Sequence, residues 1–124
     1  MPYKLIWEPD GVYWKYSGEV SGQEIIDATT QVYGDARFDQ LKYKLVDFLD
    51  TENIEISMEQ VALIAYQHRA AELSNACIYT AIVAKPDHKL ANKFAEFFVD
   101  SKWEVKVFTN MDDANRWLNR KPKT

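Results

Sequence analysis

The sequence contains little of the material from which metal sites and thiol chemistry are built. It has one cysteine, Cys77, and two histidines in 124 residues. A disulfide within the chain is therefore impossible, and the zinc motifs that need paired cysteines or closely spaced histidines are absent. None of the four glycines stands in a phosphate-binding loop pattern. We therefore expect no bound metal and no cofactor.

The sequence also lacks an excess of positive charge and a long apolar run. Its 19 acidic and 15 basic residues give a formal net charge of −4, so a nucleic-acid partner is not expected. No stretch approaches the roughly 18 apolar residues of a membrane span. The first residues, MPYK, lack the apolar core of a signal peptide. Together with the single cysteine, these features predict a cytoplasmic protein without integral membrane association.

What the sequence does have is enough apolar material for one folded domain. Hydrophobic residues make up 47% of the chain, which suits a real core at this length. We predict a single domain over residues 1–118. Residues 119–124 form a basic, polar tail, NRKPKT, that we expect to fray.

Strand and helix signals alternate along the predicted domain. Strand-like segments are rich in β-branched and aromatic residues, and helix-like segments have apolar residues at a period near 3.6 and begin at capping residues. The predicted strands are residues 3–7, 12–16, 43–48, 77–84 and 103–108. The predicted helices, counted from their N-caps, are residues 21–33, 57–73, 87–101 and 110–118.

This order, ββαβαβαβα, predicts an α/β fold. The opening hairpin turns at Glu8-Pro9-Asp10-Gly11, where Pro and Gly favour a tight turn. The later strands are each separated by a helix, which predicts parallel pairing and a mixed, mostly parallel sheet of about five strands covered by about four helices. Residues 77–84 are almost continuously apolar, so we place them in a central strand buried on both faces.

Three segments carry a resemblance to a known family. They are GVYWKYSGEV at residues 11–20, RFD at 37–39 leading into YKLVDF at 43–48, and the ending VFT at 107–109 with DDANRWL at 112–118. In these segments the chain resembles the SpoIIAA-like branch of the STAS/Sec14-type domains. The resemblance implies that fold and a non-enzymatic regulatory module that binds a partner protein or a small ligand.

The same resemblance directs attention to Ser57. Anti-sigma-factor antagonists of this fold carry a phosphorylatable serine in a short Asp-Ser-Ser-Gly stretch before the corresponding helix. Here the matching stretch is Glu55-Ile56-Ser57-Met58. Glu55 stands in place of the aspartate, Ser57 is the one serine that remains, and Met58 stands in place of the glycine. Ser57 is therefore either a phosphoacceptor or the N-cap of the helix, and the capping reading is favoured because Gln60 completes a capping box.

An acidic stretch follows the third strand, and we predict it to be a loop. Residues 47–57 would form a connection of about ten residues, longer than the roughly 2–6 usual between a strand and a helix. Long loops tend to carry function, and partners of open α/β sheets dock beyond the carboxyl ends of the parallel strands. We predict that Asp50, Glu52 and Ser57 border a protein-interaction surface for a partner with basic residues. Asp47 and Lys85 are placed at the same edge.

Simpler readings accompany these candidates. The acidic stretch has no EF-hand spacing, so a solvated loop is the alternative to a binding surface. His68 is expected in the core, His88 in solvent and Cys77 buried and inert at the start of a strand. The late aromatic residues are expected to be core, with an apolar-ligand pocket as the alternative; they are Phe94, Phe97, Phe98, Trp103 and Trp117.

The leading functional prediction is a non-enzymatic, protein-binding regulatory module. A small apolar-ligand or peripheral membrane-binding domain related to Sec14-type domains is the alternative. An enzyme ranks third, because no nucleophile–base pair is visible; Ser57, Asp47 and Lys85 around one concave site would favour it. A homodimer is compatible with each of these readings.

We expect the substitution Ser57→Ala to lower the free energy of unfolding by roughly 0.5–2 kcal/mol, because the alanine cannot accept a hydrogen bond from the first turn of the helix. Denaturant unfolding of the two proteins measures the difference. An unchanged midpoint would contradict the capping role and favour the phosphoacceptor reading.

Overall fold

The computed structural model describes residues 3–86, 88, 89, 92, 93, 96 and 102–120. The strands are β1 (Tyr3–Trp7), β2 (Gly11–Ser21), β3 (Tyr43–Glu55), β4 (Tyr79–Val83) and β5 (Glu104–Phe108). The α-helices among these residues are α1 (Gly22–Tyr33), α2 (Met58–Ser74) and α3 (Met111–Leu118), and a short 3-10 helix spans Ala36–Gln40. Apart from this 3-10 helix and the predicted helix over residues 87–101, the order of strands and helices follows the sequence prediction.

The predicted helix over residues 87–101 falls largely outside the described residues. Its apolar stripe, Leu90, Phe94, Phe97 and Phe98, lies there entirely. The described positions 89, 92, 93 and 96 have helical backbone. Four helices were predicted. Within the described part of the chain, three α-helices have both ends defined.

All five strands form one sheet in the order β1-β2-β3-β4-β5. β1 pairs antiparallel with β2, with Leu5 opposite Trp14, and the remaining neighbours are parallel. The mixed, mostly parallel sheet is therefore confirmed. β4 lies between β3 and β5, and Ala81, Ile82 and Val83 on it are buried, as the predicted central strand requires.

The starts of α1 and α2 have the predicted capping boxes. The Ser21 hydroxyl accepts from the Glu24 amide at 3.2 Å, and the Ser57 hydroxyl accepts from the Gln60 amide at 3.1 Å. In both helices the third residue returns a side-chain bond to the capping amide. A Cβ atom at Gly22 would collide with the Gln60 side chain, so the two helix starts lie against each other at one edge of the sheet.

Helices cover both faces of the sheet. On one face, α1 and α2 bury a large cluster that includes Trp14, whose indole nitrogen donates to the Ala28 carbonyl at 3.2 Å. On the other face, α3 packs Ala114 against Leu45, Ala81 and Val83. Because successive strand residues point to opposite faces, consecutive residues such as Ala81, Ile82 and Val83 on β4 are all buried.

The predicted loop over residues 47–57 is wrong for residues 47–55, which belong to β3, and residues 17–21, which follow the predicted second strand, belong to β2. β2 and β3 continue past two register shifts, with Ser17 opposite Asp50 and Ser21 opposite Glu55. Gly18 allows the second of these shifts at a φ of +66°. Pairing satisfies the backbone N–H and C=O groups of two polar segments that single-sequence propensity assigns to turns. The connection from β3 to α2 shrinks to residues 56 and 57.

Arg120 is also placed differently from the expected frayed tail. Its guanidinium donates to both carboxylate oxygens of Glu8, at 2.8 and 2.7 Å, and to the Asn115 side-chain oxygen at 2.8 Å. Its side chain is only 7% exposed. The Arg120 side chain is therefore held against Glu8 and Asn115, whereas residues 121–124 lie outside the described part of the chain.

We expect Arg120→Ala to lower the free energy of unfolding by about 3 kcal/mol, because it leaves the carboxylate of Glu8 in a largely buried position without its bidentate partner. Chemical denaturation measures the change. Arg116→Ala is the matched control, since its ion pair with Asp113 has side chains 79% and 52% exposed, and it should cost less than about 0.5 kcal/mol. Equal losses in the two variants would contradict this assignment.

Candidate functional site

Asp47 does not lie at the carboxyl edge of the sheet. It is 4% exposed in the middle of β3. Its carboxylate accepts the Tyr13 hydroxyl at 2.8 Å and the Leu49 amide at 2.9 Å. Burial, reinforced by the Asp47 carboxylate, raises the pKa of Tyr13. The placement of Asp47 at the edge is therefore corrected: it is part of a buried hydrogen-bonded pair.

Asp50 and Ser57 are exposed but have structural partners. Asp50 forms an ion pair with Lys15 at 3.2 Å, with side chains 60% and 42% exposed. The Ser57 hydroxyl is engaged at the first turn of α2, which confirms its capping role. The phosphoacceptor reading of Ser57 stays a prediction.

Glu52 and Lys85 are the two candidate residues that the structure brings into one depression. This depression, which we call the edge groove, has a volume of about 550 Å³. It is bounded by the end of β3, the start of α2 and the segment that follows β4. Its lining residues are Thr51, Glu52, Asn53, Ile54, Ile56, Met58, Val61, Lys85, His88, Lys89 and Lys93.

The edge groove combines an apolar strip with a row of positive charges. Ile54, Ile56 and Met58 belong to the strip, and Met58 is 64% exposed. Lys85, Lys89 and Lys93 follow one another at four-residue spacing and all line the groove. Such an arrangement can hold a ligand or a partner segment that is apolar on one side and acidic on the other.

His88 is not in open solvent, contrary to the sequence prediction. It is half-buried, and its ring stacks on Phe48 with centroids 5.4 Å apart and an interplanar angle of 16°. Burial lowers the pKa of His88. The imidazole therefore forms part of the groove wall through its contact with the core.

A second polar site, which the sequence analysis missed, lies inside the α1/α2 face of the sheet. Lys44 on β3 is only 1% exposed. Its Nζ donates to the Tyr33 hydroxyl at 2.6 Å and lies 3.0 Å from His68 Nδ1. It also stands 3.9 Å from the centroid of the Trp103 ring. No carboxylate within the described residues forms an ion pair with this lysine.

Lys44 borders a small cavity in the core. The cavity has a volume of about 40 Å³ and is lined mainly by aromatic and aliphatic side chains. His68 and Thr80 also line it. The Thr80 hydroxyl is buried and finds no hydrogen-bond partner among the described residues. A volume of this size exceeds the roughly 10–15 Å³ that one water molecule needs, so a small polar guest fits.

Burial controls the protonation of this site. Burial lowers the pKa of Lys44 well below its ordinary value. The pKa of His68 is also well lowered, first by burial and then by repulsion from Lys44. Because Lys44 Nζ and His68 Nδ1 are buried and lie 3.0 Å apart, both groups favour their uncharged forms. A neutral amine beside an imidazole can act as a nucleophile with an adjacent proton acceptor.

The sequence did contain a signal for this site. Lys44 stands among the apolar residues of strand 43–48, and that strand was predicted to lie in a sheet covered by helices. A lysine at such a position must be enclosed if helices cover both faces, and Lys and other charged residues are almost never fully buried without a partner. Only the tertiary structure identifies Tyr33, His68 and Trp103 as its neighbours.

The remaining candidates do not assemble into a site. Cys77 is exposed just before β4, so the expectation of a buried cysteine is wrong. Among the described residues, no group of three or more His, Cys, Asp or Glu side chains is arranged to hold a metal ion. The helices of this part of the chain include none long and apolar enough to cross a membrane.

Comparisons with known proteins give structural neighbours only. No family model and no curated protein sequence matches the chain. An uncharacterized protein from the DUF3478 family with a SpoIIAA-like fold, from Shewanella loihica PV-4, is 17% identical with a TM-score of 0.56, covering 94% of this chain and 91% of its own.

Two structures of the protein SpoIIAA are similar as well. The phosphorylated Bacillus cell fate determinant SpoIIAA is 15% identical with a TM-score of 0.61, covering 93% of this chain and 98% of its own. The unphosphorylated anti-sigma factor antagonist SpoIIAA is 10% identical with a TM-score of 0.60, covering 92% and 94%. The chain therefore has a SpoIIAA/STAS-like α/β fold, as the sequence resemblance implied.

We expect the stability of the protein to rise with pH in the alkaline range below about pH 10 because of Lys44. An unfolded lysine stays protonated up to a pKa of about 10.4, whereas burial lowers the pKa of Lys44 in the folded protein well below its ordinary value. The unfolded state then binds more protons, so the free energy of unfolding increases with pH by at most about 1.4 kcal/mol per unit and levels off above the unfolded pKa. Denaturant titrations in degassed buffer measure this slope.

Lys44→Met should remove the rise, because no buried amine with a lowered pKa then remains. Lys42→Met is the matched control, since the Lys42 side chain is 76% exposed, and it should leave the pH profile unchanged. A wild-type profile that Lys44→Met does not alter would contradict the prediction.

Proposed function

We propose that this chain is a non-enzymatic regulatory module that binds a partner protein through the edge groove. The observation that carries the proposal is the open apolar strip of Ile54, Ile56 and Met58 beside the row of lysines. Exposed apolar surface rimmed by polar residues is typical of interaction sites. A cytoplasmic location is part of the same proposal.

The position of the groove in the fold supports this role. It lies beyond β3 and β4 at their carboxyl ends, where open α/β sheets receive partners and ligands. Glu52 and Lys85, two of the residues selected from the sequence, line it. Ser57 stands at the adjacent start of α2, so a phosphate there would add negative charge near the lysines. Asp50, which was also selected from the sequence, is not among the residues that line the groove.

The charge of the groove refines the kind of partner. Lys85, Lys89 and Lys93 outnumber Glu52 among its charged residues. Complementary potentials favour a partner with acidic residues next to apolar ones. This differs from the basic partner proposed from the acidic stretch alone, because most of that stretch is paired within the sheet and it contributes a single carboxylate, that of Glu52, to the groove.

The structural neighbours provide a consistent context. One of them is described as an anti-sigma factor antagonist, and the fold is shared at 10–17% identity. We propose the same broad class, regulation by protein contact, for this chain. The identity of the partner is left to the experiment below.

A small amphipathic ligand or an acidic membrane surface is the second candidate. The groove volume of about 550 Å³ is within the roughly 300–1,000 Å³ of small-molecule pockets. Lysines next to an apolar strip also suit an acidic lipid surface. This candidate corresponds to a Sec14-type role.

The test compares two double charge reversals in affinity capture from the source organism. Lys85→Glu with Lys89→Glu alters the groove, and Lys4→Glu with Lys102→Glu makes the same net charge change at exposed residues outside it. We expect the control to recover the wild-type partners and the groove variant to lose them, because it places acidic residues opposite an acidic partner.

Equal recovery by the two double variants would contradict the edge groove as the protein-binding surface. Sedimentation with phosphatidylserine vesicles provides the second measurement. Groove-dependent sedimentation, with no partner protein lost from the capture, would instead establish the membrane-binding candidate.

A further inference from the structure

We propose that Lys44 is a site of reversible carbamylation, at which carbon dioxide adds to the side-chain amine inside the core cavity. The inference concerns the small core cavity on the α1/α2 face and does not depend on the edge groove. Three independent features support it: the position of Lys44, the small cavity beside it and the Thr80 hydroxyl, which has no hydrogen-bond partner among the described residues.

The surroundings of Lys44 favour the nucleophilic form of the amine. Its Nζ is held by the Tyr33 hydroxyl at 2.6 Å and by His68 Nδ1 at 3.0 Å. These contacts fix the nitrogen beside the cavity, and the Trp103 ring covers another side. Among the described residues that line the cavity, Tyr16 has the only other titratable side chain, and burial raises the pKa of its phenol. The same described lining includes no carboxylate that would hold the amine charged.

The lining of the cavity favours the entry of carbon dioxide over that of bicarbonate. Its lining is dominated by apolar residues such as Trp14, Phe48, Ile64 and Ile82. An uncharged molecule of three heavy atoms enters such surroundings at little cost, whereas bicarbonate must lose the hydration of a full charge. The volume of about 40 Å³ suits that size, since roughly 10–15 Å³ holds one water.

The reaction consumes only carbon dioxide and a proton acceptor. The lone pair of Nζ forms a bond to the carbon of carbon dioxide, and one C–O π pair moves to oxygen. The nitrogen then loses a proton to His68 Nδ1, which lies 3.0 Å away. The Tyr33 hydroxyl also contacts Nδ1, and its oxygen accepts a hydrogen bond from the newly formed N–H. The products are a carbamate anion on Lys44 and a protonated imidazole on His68, with no oxidant or reductant involved.

Carbamate formation removes the repulsion between Lys44 and His68. These two adjacent bases repel each other when both are protonated, whereas the products are an anion on Lys44 and a cation on His68. Attraction between such charges is strong in a desolvated environment. The Thr80 hydroxyl, buried without a partner in the described residues, is available to donate to a carbamate oxygen. Hydrogen bonds to charged acceptors are among the stronger ones in proteins.

The experiment is carbon-13 NMR of the full chain with labelled bicarbonate, which supplies labelled carbon dioxide, at mildly alkaline pH. We expect a protein-bound carbamate resonance in the wild type that disappears on acidification. Lys44→Met and Lys44→Arg should both lack it, while any signal from the amino terminus or exposed lysines should remain in the variants as an internal reference. Circular dichroism checks that each variant is folded.

Thr80→Val provides a second test that retains the reacting amine and nearly the same side-chain volume. We expect it to weaken carbon dioxide binding by roughly tenfold or more, because a hydrogen bond to a charged group is lost. A folded wild type without the resonance would overturn the proposal. So would a resonance that survives in the folded Lys44→Met or Lys44→Arg variant, or labelled carbon that is bound only as bicarbonate.

Discussion

The parallel pairing of β2 with β3 is the interaction on which the rest of the structure depends. It joins Gly11–Ser21 to Tyr43–Glu55 and continues through two register shifts to the last residue of each strand. β1 is added on one side of this pair and β4 on the other. Because the pair ends with Ser21 opposite Glu55, α1 and α2 begin at the same edge, and the edge groove forms where β3 turns into α2.

The alternation of side chains along β3 separates two chemically different environments. Asp47 is on the face covered by α3 and has a hydrogen-bond partner in Tyr13. Lys44 points to the opposite face, where its contacts are a phenol, an imidazole and an indole ring. The carboxylate and the amine are only three residues apart, yet the sheet itself lies between them. Each charge must therefore be satisfied, or neutralised, on its own side.

The two proposals occupy different parts of this architecture. The edge groove is open, and its chemistry comes from an exposed apolar strip and exposed lysines that can meet a large partner. The cavity at Lys44 is small, with a volume of about 40 Å³, and its chemistry comes from the desolvation of an amine whose residue is 1% exposed. His88 and Phe48 lie between the two regions, since His88 lines the groove and Phe48 lines the cavity.

The sequence by itself determined the element order, the central position of the apolar strand and the caps at Ser21 and Ser57. These follow from periodicity, β-branched runs and short-range capping chemistry, all of which act within a few residues. It also indicated Glu52, in a predicted loop that is part of β3, and Lys85, at the same edge of the sheet. Only the tertiary structure decided that residues 47–55 are strand, that Asp47 is buried and that Lys44, Tyr33, His68 and Trp103 meet. These depend on pairing and packing between segments far apart in the chain, and no local pattern of residues encodes which distant groups will satisfy a backbone amide or surround a buried amine.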